Sequence, residues 1–185
     1  MKTFAVLVTC LSLCLWSSAA WANVIVGFDA ADSPAVDAGD GATATWNAGA
    51  YWDYTSGGDW GFAAFAYPFG DVTGMTFTVD LKGNFGGSRD LAVCMYNDST
   101  GWAGRFAHMN VPATPDWTTY TIDLVEADWD DWGGDWQDVV GNVTGLEFYF
   151  LAPSGSFDNA GFVPEPAALL LLTAGGAAVL RRRRK

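Results

Sequence analysis

Apolar and polar residues alternate along much of the chain between residues 24 and 163, with glycine-rich turns between the alternating stretches. The clearest case is 75–81, where Met75, Phe77, Val79 and Leu81 alternate with Thr and Asp. A period of two residues is that of a β-strand with one buried face. This stretch is therefore predicted to be a half-buried antiparallel strand.

The same pattern predicts further short strands. They cover 24–28, 42–46, 60–67, 91–96, 102–109, 118–124, 145–151 and 157–163. Loops are predicted at 29–41 and 126–142 and a turn at 83–89, with no amphipathic helix between the strands. The stretch 91–96 is apolar on both faces, which indicates a central strand. Eight or nine short strands with regular turns are typical of an all-β antiparallel sandwich, most often a jelly roll.

The two ends of the chain have a different composition. Lys2, an apolar run over 4–16 and the sequence Ala20-Trp21-Ala22 predict a secretory signal helix over 1–22 that is removed after export. At the other end, an uncharged apolar run over 167–180 precedes five basic residues at 181–185. That run predicts a transmembrane helix, although fourteen residues reach only about 21 Å of a hydrocarbon core of about 30 Å. One domain is left between the two segments, over 23–162.

The C-terminal segment 163–185 resembles the PEP-CTERM sorting tail of exported bacterial proteins. The residues that carry the resemblance are Val163, Pro164, Glu165 and Pro166, then the apolar run, then Arg181, Arg182, Arg183 and Arg184. The resemblance implies an exosortase-type membrane protease as partner and a link to exopolysaccharide. It also implies a precursor anchored in the inner membrane and a destination at the cell surface or in the extracellular matrix. The alternative is an ordinary C-terminal membrane anchor.

The domain 23–162 is strongly acidic. Three basic residues (Lys82, Arg89 and Arg105) against twenty acids give a net charge of −17. Nucleic acid is therefore excluded as a partner, because binding phosphate requires clustered Lys and Arg. Eight tryptophans with many Phe and Tyr supply a core. The single cysteine, Cys94, lies in an apolar strand and is expected to be a buried, unreactive thiol.

The second half of the domain resembles carbohydrate-binding jelly rolls of the galactose-binding-like kind. The resemblance rests on the stretches 117–124, 143–150 and 157–162, the last of which reads Phe-Asp-Asn-Ala-Gly-Phe. In such modules an acid after the first strand and an Asp in the last strand often share a Ca²⁺ ion. The resemblance therefore implies a structural Ca²⁺ held by Asp29 and Asp158, which would join the two ends of the domain.

Two aromatic groups are candidates for a sugar site. Trp129, Trp132 and Trp136 lie among acids in the loop 126–142, and Trp52 and Tyr54 lie in a second aromatic stretch. Rings stack on the C–H faces of pyranoses, and carboxylates accept hydrogen bonds from hydroxyls. The alternative is that the tryptophans of the loop cover the core and the acids are merely solvated. At least one residue of the second group is expected in the core.

A non-enzymatic role is predicted. His108 is the only histidine, and no Gly-x-Ser-x-Gly motif accompanies it, so a serine triad has no support. The leading hypothesis is an exported surface or matrix protein whose jelly roll contacts polysaccharide. One alternative is a purely structural envelope or matrix component that binds no glycan. A glycan-acting hydrolase with paired carboxylates is a further alternative, since the acids are abundant.

Overall fold

The computed structural model of the protein describes residues 24–28, 34–48, 51–56, 61–84, 87–99, 101–150 and 154–165. Within this part the chain forms twelve β-strands, a 3₁₀ turn at Glu126–Asp128 and one short helix, α1 (Trp136–Val140). The strands are β1 (Val24–Val26), β2 (Asp37–Gly39), β3 (Thr43–Asn47), β4 (Tyr51–Thr55), β5 (Gly61–Gly70), β6 (Met75–Asn84), β7 (Gly87–Asn97), β8 (Ala103–Val111), β9 (Thr114–Asp123), β10 (Asp130–Gly133), β11 (Val143–Phe150) and β12 (Ser154–Pro164).

The strands form two antiparallel sheets of six strands each. Sheet I has the order β3-β4-β12-β6-β9, and β1 pairs with β12 on the same edge as β4. Sheet II has the order β10-β8-β7-β11-β5-β2. The pairing of β12 with both β1 and β6 brings the first and last described strands together. This architecture confirms the predicted all-β antiparallel sandwich.

Aromatic side chains from the two sheets meet in the core between them. Phe157 of sheet I lies 5.1 Å from Phe148 of sheet II, and Phe162 of sheet I lies 5.1 Å from Phe69 of sheet II, between ring centroids. Phe28, which follows β1, contacts Phe65 edge-to-face at 5.2 Å. Interdigitation of this kind removes large apolar areas from water and is the main stabilising contribution in a sandwich.

The two clearest predicted strands are confirmed. The apolar residues of β6 are buried in the core, as the alternation over 75–81 predicts. The intervening Thr76 and Thr78 are also buried, because β9 and β12 flank them on both edges. β7 lies between β8 and β11, and its residues 91–97 are buried on both faces. One face of β7 is therefore covered by the core, and side chains on the outer surface of sheet II cover the other.

Several predicted loops contain regular structure. β2 lies inside the predicted loop 29–41 and pairs with β5 as an edge strand. β4, assigned no strand in the sequence, pairs with β3 and β12. Both are short and lack a clean alternation, so pairing with neighbouring strands decides their structure rather than their own pattern. In the predicted turn 83–89, β6 extends to Asn84 and β7 begins at Gly87.

The structure differs most from the sequence prediction at 126–142, which is expected to be a loop. This segment contains the 3₁₀ turn, edge strand β10 and helix α1, although no helix was predicted here. The side chain of Asp135 caps α1 by accepting a hydrogen bond from the Gln137 backbone N–H at 2.8 Å. The helix has five residues, too few for a helical period to be visible in the sequence.

The sandwich extends two residues beyond its predicted end at 162, because β12 continues to Pro164. A strand that ends at proline is expected, since proline has no backbone N–H to donate to the ladder. The predicted signal helix 1–22 and transmembrane helix 167–180 lie outside the described residues. Among the residues that are described, no helix has the length and apolar character needed to cross a membrane.

Candidate functional site

Four of the five candidate sugar-binding aromatics lie in the core. Trp129 and Trp136 are only 4% and 8% exposed, and Trp52 and Tyr54 are also buried. A ring enclosed by the core has no face open to a sugar, so burial removes these four from a surface site. For the loop, this arrangement matches the alternative that its tryptophans cover the core.

Trp132 differs, with 46% of its surface exposed. It lies in edge strand β10, between the two buried tryptophans. The Trp129 indole donates a hydrogen bond to the Asp123 carbonyl at 3.0 Å, and its ring centroid lies 6.5 Å from that of Trp136. Trp129 and Trp136 thus hold the loop against the sandwich, and Trp132 between them faces outward.

Arg105 fixes the strand that carries Trp132. Its guanidinium donates to the Gly134 carbonyl at 2.6 Å and lies 3.1 Å from a carboxylate oxygen of Asp131. The Asp131 carboxylate also accepts a hydrogen bond from the Gly133 backbone at 2.8 Å. Arg105 is buried, whereas the Asp131 side chain is 66% exposed, so water screens the ion pair and the hydrogen bond to the Gly134 carbonyl is the better shielded contact. The residue acts on the site by positioning Trp132.

Trp132 belongs to an aromatic groove on the outer surface of sheet II. We define the aromatic groove by its lining residues and its volume of about 390 Å³. The lining residues are Asp40, Ala92, Phe106, His108, Trp132 and Tyr149. The volume lies within the range of small-molecule sites. The lining is mainly apolar with few polar groups, a composition that suits a ligand with both C–H faces and hydroxyls.

Ring contacts fix the shape of the groove. The Trp132 centroid lies 5.2 Å from Tyr149, 5.6 Å from Phe106 and 5.6 Å from Trp102. Trp132 comes from β10 and Tyr149 from β11, and β8 and β7 lie between these strands. The two rings meet because the outward residues of β7 between them, Ala92 and Cys94, are small. Trp102 is 47% exposed and extends the aromatic surface beyond the groove.

Glycines let aromatic rings lie flat on this surface. A Cβ atom on Gly104 would lie 2.7 Å from the Trp102 ring, and one on Gly145 would overlap the hydroxyl of Tyr96. Each ring therefore occupies the space that a side chain on the neighbouring strand would fill. Such glycine–aromatic pairs across strands are a recognised way to cover a sheet surface. Here they leave room for the Trp102 and Tyr96 rings on the outer side of sheet II.

Polar groups flank the groove. The Tyr149 hydroxyl donates to a Glu147 carboxylate oxygen at 2.6 Å. Burial, together with that hydrogen bond, raises the pKa of Tyr149 above its usual range. Burial and then the Glu147 charge raise the pKa of Tyr96 to about 12. Both phenols stay protonated at neutral pH, and a carboxylate beside a phenol can exchange hydrogen bonds with sugar hydroxyls.

The thiol of Cys94 lies on the same side of sheet II, beneath this surface. It is fully buried, and desolvation raises the pKa of Cys94. A thiol held protonated is a poor nucleophile and metal ligand. The predicted inert, buried cysteine is confirmed.

The residues missed in the sequence are Trp102, Phe106 and Tyr149. A usable signal was present. Residues 91–96 are apolar on both faces, yet in a two-layer sandwich only one face of a strand meets the core. The outer apolar face must be shielded from water by side chains of the neighbouring strands. The residues that pair directly with the outward residues of β7 point to the same side of the sheet and can shield it. Those residues include Phe106, which pairs with Cys94, and Tyr149, which pairs with Ala92.

The outer surface of sheet I is polar by comparison. A depression of about 370 Å³ there is lined by residues that include Asp53, Thr55, Lys82 and Ser156. Both carboxylate oxygens of Asp53 are occupied, by the Ser156 hydroxyl at 2.7 Å and the Asn47 amide at 3.0 Å. Trp117 of β9 is 40% exposed and its ring centroid lies 5.2 Å from that of Tyr51. This exposed tryptophan is remote from the aromatic groove.

The predicted calcium ligands can be placed only in part. Asp29 lies outside the described residues. One Asp158 oxygen accepts hydrogen bonds from the backbone of Asn159 at 2.7 Å and of Phe28 at 3.5 Å. Asp158 therefore joins the first and last strands of the domain through its own side chain. In the described part of the chain, no three His, Cys, Asp or Glu side chains form a group that could hold a metal ion.

Comparison with protein families identifies the C-terminal segment. Residues 162–185 match the PEP-CTERM protein-sorting motif. The match includes the predicted proline motif, apolar run and arginine cluster, and it begins one residue before the predicted segment. A PEP-CTERM motif marks an exported, surface-directed protein. Comparison of the whole sequence with curated proteins returns no match.

Solved structures share the fold of the sandwich. An exo-β-agarase is 12% identical with a TM-score of 0.58, and the match covers 78% of this chain and 25% of the agarase. A family 11 carbohydrate-binding module of a cellulase from Clostridium thermocellum is 14% identical with a TM-score of 0.47, over 70% of this chain and 86% of the module. The C-terminal family 6 module of a laminarinase from Zobellia galactanivorans is 9% identical with a TM-score of 0.46, over 77% and 99%. At these identities the likeness concerns the fold alone.

Proposed function

We propose that this PEP-CTERM protein is a non-catalytic surface or matrix component whose sandwich binds polysaccharide through the aromatic groove. The observation that carries the proposal is the exposed Trp132, held by Arg105 and surrounded by Phe106, Tyr149 and Trp102. Large apolar side chains are normally withdrawn from water, and an exposed cluster of them indicates a binding surface. Flat rings with adjacent hydroxyl and carboxylate groups suit pyranose units.

The precursor stage belongs to the same proposal. The signal segment 1–22 directs export, and the segment 167–180 holds the chain in the inner membrane with Arg181–Arg184 on the cytoplasmic side. An exosortase-type protease then removes the tail and releases the domain to the surface or matrix. A segment that serves only until processing does not need the full length of a stable anchor.

The described residues that line the groove include one carboxylate, Asp40, and one histidine, His108, and no pair of carboxylates. His108 lines the groove at the centre of an aromatic environment and contacts Phe106 edge-to-face at 5.5 Å between centroids. The agarase match covers only a quarter of that enzyme, so the activity named for the whole enzyme does not transfer to this chain. Binding without turnover is therefore the simpler proposal. The alternative remains a structural envelope or matrix component that contacts no glycan.

Replacement of Trp132 by alanine tests the groove directly. We expect the affinity for the producer's exopolysaccharide, or for a responsive polymer in a broad glycan panel, to fall at least about tenfold. The reason is that a stacking tryptophan at the centre of a site commonly contributes about 2 kcal/mol or more. Isothermal titration of the purified protein measures the affinity, and the melting temperature should fall less than for a core substitution because 46% of Trp132 is exposed.

Trp117→Ala is the matched control. Trp117 is exposed to a similar extent but lies in sheet I. The Trp117→Ala variant should bind polysaccharide as tightly as the unaltered protein. A loss of affinity that is specific to Trp132→Ala therefore locates the site on sheet II. Equal losses in both variants would contradict the proposed location. No binding of the unaltered protein to any polymer would favour the structural alternative.

A further inference from the structure

The sorting motif and the sandwich share residues. The motif match begins at Phe162, whereas β12 continues to Pro164. Phe162 pairs with Phe77, Val163 with Thr76 and Pro164 with Met75. The first residues of the sorting signal are therefore part of a β-sheet.

At this end of β12, Phe162 lies between two strands, whereas Val163 and Pro164 pair with β6 alone among the described residues. Phe162 also pairs with Val24 of β1, so strands flank it on both sides. Its ring is fully buried and contacts Phe69 at 5.1 Å and Phe77 at 5.7 Å between centroids. Pro164 is buried as well. Release of Phe162 would open the core and remove two sets of strand pairings.

A protease needs the backbone of its substrate in an accessible, extended form. Phe162, paired on both edges, and Pro164, buried and paired with β6 on one edge, cannot enter an active site without local unfolding of the end of β12. Only Glu165 and Pro166 separate the last paired residue from the predicted membrane segment at 167. Two extended residues span about 7 Å. The proposed membrane segment would therefore begin close to the end of β12.

We propose that the folded sandwich sets the upstream limit of processing, so that the tail is cut C-terminal to Pro164 and the mature protein keeps the whole of β12. This rests on the proposed removal of the tail by a membrane protease. The reaction is hydrolysis of one peptide bond. Water supplies the hydroxyl that adds to the carbonyl carbon, the C–N bond breaks, and the released amine takes the proton.

The mass of the mature protein decides the position of the cut. The full chain is expressed in a cell that contains the exosortase-type protease, and the exported product is measured by intact mass and C-terminal peptide sequencing. A final residue at Pro164 or later is expected. A final residue at Val163 or earlier overturns the inference and leaves the proposed removal of the tail intact. A product that retains residues up to Lys185 contradicts both.

A pair of substitutions in the full chain tests the structural basis without the protease. Phe162→Ala should lower the melting temperature of the sandwich by at least about 5 °C, because it removes a buried aromatic anchor. Glu165→Ala, the matched control just beyond β12, should change it by less than about 1 °C. Equal, small effects of the two substitutions would show that the end of β12 is not part of the stable fold and would overturn the inference.

Discussion

Single residues determine the shape of the aromatic groove, and Gly104 is the clearest case. Its missing side chain leaves room for the Trp102 ring. Trp102 is half exposed and can swing into solvent, whereas the backbone of β8 is held on both edges by β7 and β10. A small change at position 104 should therefore move the ring and leave the sheet in place.

Gly104→Ala is expected to reduce polysaccharide affinity about threefold to tenfold and to lower the melting temperature slightly, because the added Cβ also lies 3.1 Å from the buried Cys94 sulfur. The added methyl group displaces Trp102 and disturbs its edge contact with Trp132. Titration and thermal unfolding on the same preparation make the comparison. In the matched variant Gly101→Ala, no heavy atom lies within 4 Å of the added Cβ, although the glycine has a φ of 119°. Gly101→Ala should therefore lower the melting temperature, if it has an effect, and leave the polysaccharide affinity unchanged.

The three tryptophans of the loop 126–142 explain why residue roles were only partly predictable. Each has an Asp immediately before it in sequence. Local composition is therefore nearly the same for all three. Their different burial depends on tertiary contacts, notably the Asp123 carbonyl that accepts a hydrogen bond from Trp129 and the Arg105 side chain, which holds β10 from 29 residues away. No local pattern encodes such contacts.

At the scale of elements, the strands with clean alternation or continuous apolar character were predictable, and the short edge strands were not. β6, β7 and β11 carry their own signal because each faces the core along most of its length. β2 and β10 have three and four residues and depend on pairing with β5 and β8. Since β10 carries Trp132, the element that matters most for the site was among the least visible in the sequence.

The junction of β1 and β12 is the element on which the calcium prediction depends. If an ion bridges Asp29 and Asp158, EDTA should lower the melting temperature of the protein, because an ion bound only to the folded state adds stability by mass action. Asp158→Ala should abolish the difference between calcium and EDTA, while Asp116→Ala, an exposed acid on β9, should preserve it. Differential scanning calorimetry supplies the curves. Coincident curves with calcium and with EDTA would count against the ion.

At the scale of the whole molecule, charge limits the choice of polysaccharide. The domain carries −17, and among the described residues that line the aromatic groove there is an aspartate, Asp40, but no Lys or Arg. Arg105 is already paired with Asp131, and Lys82 lies in sheet I. A polyanionic chain would meet repulsion from the domain, and the described residues that line the groove offer no cation to compensate.

We therefore expect the protein to bind neutral polysaccharides and to discriminate against polyuronates. At low ionic strength a neutral glucan should bind at least about tenfold more tightly than a polyuronate of matched length, a difference of about 1.4 kcal/mol. Added salt should barely change the affinity for the neutral chain, because stacking and hydrogen bonds to hydroxyls are screened little. Added salt should also reduce the difference in affinity between the two polymers, because it weakens the repulsion between the polyuronate and the domain. Affinity electrophoresis and titration at two salt concentrations measure both effects, and tighter binding of the polyuronate at low salt would mean that cations outside the groove govern recognition.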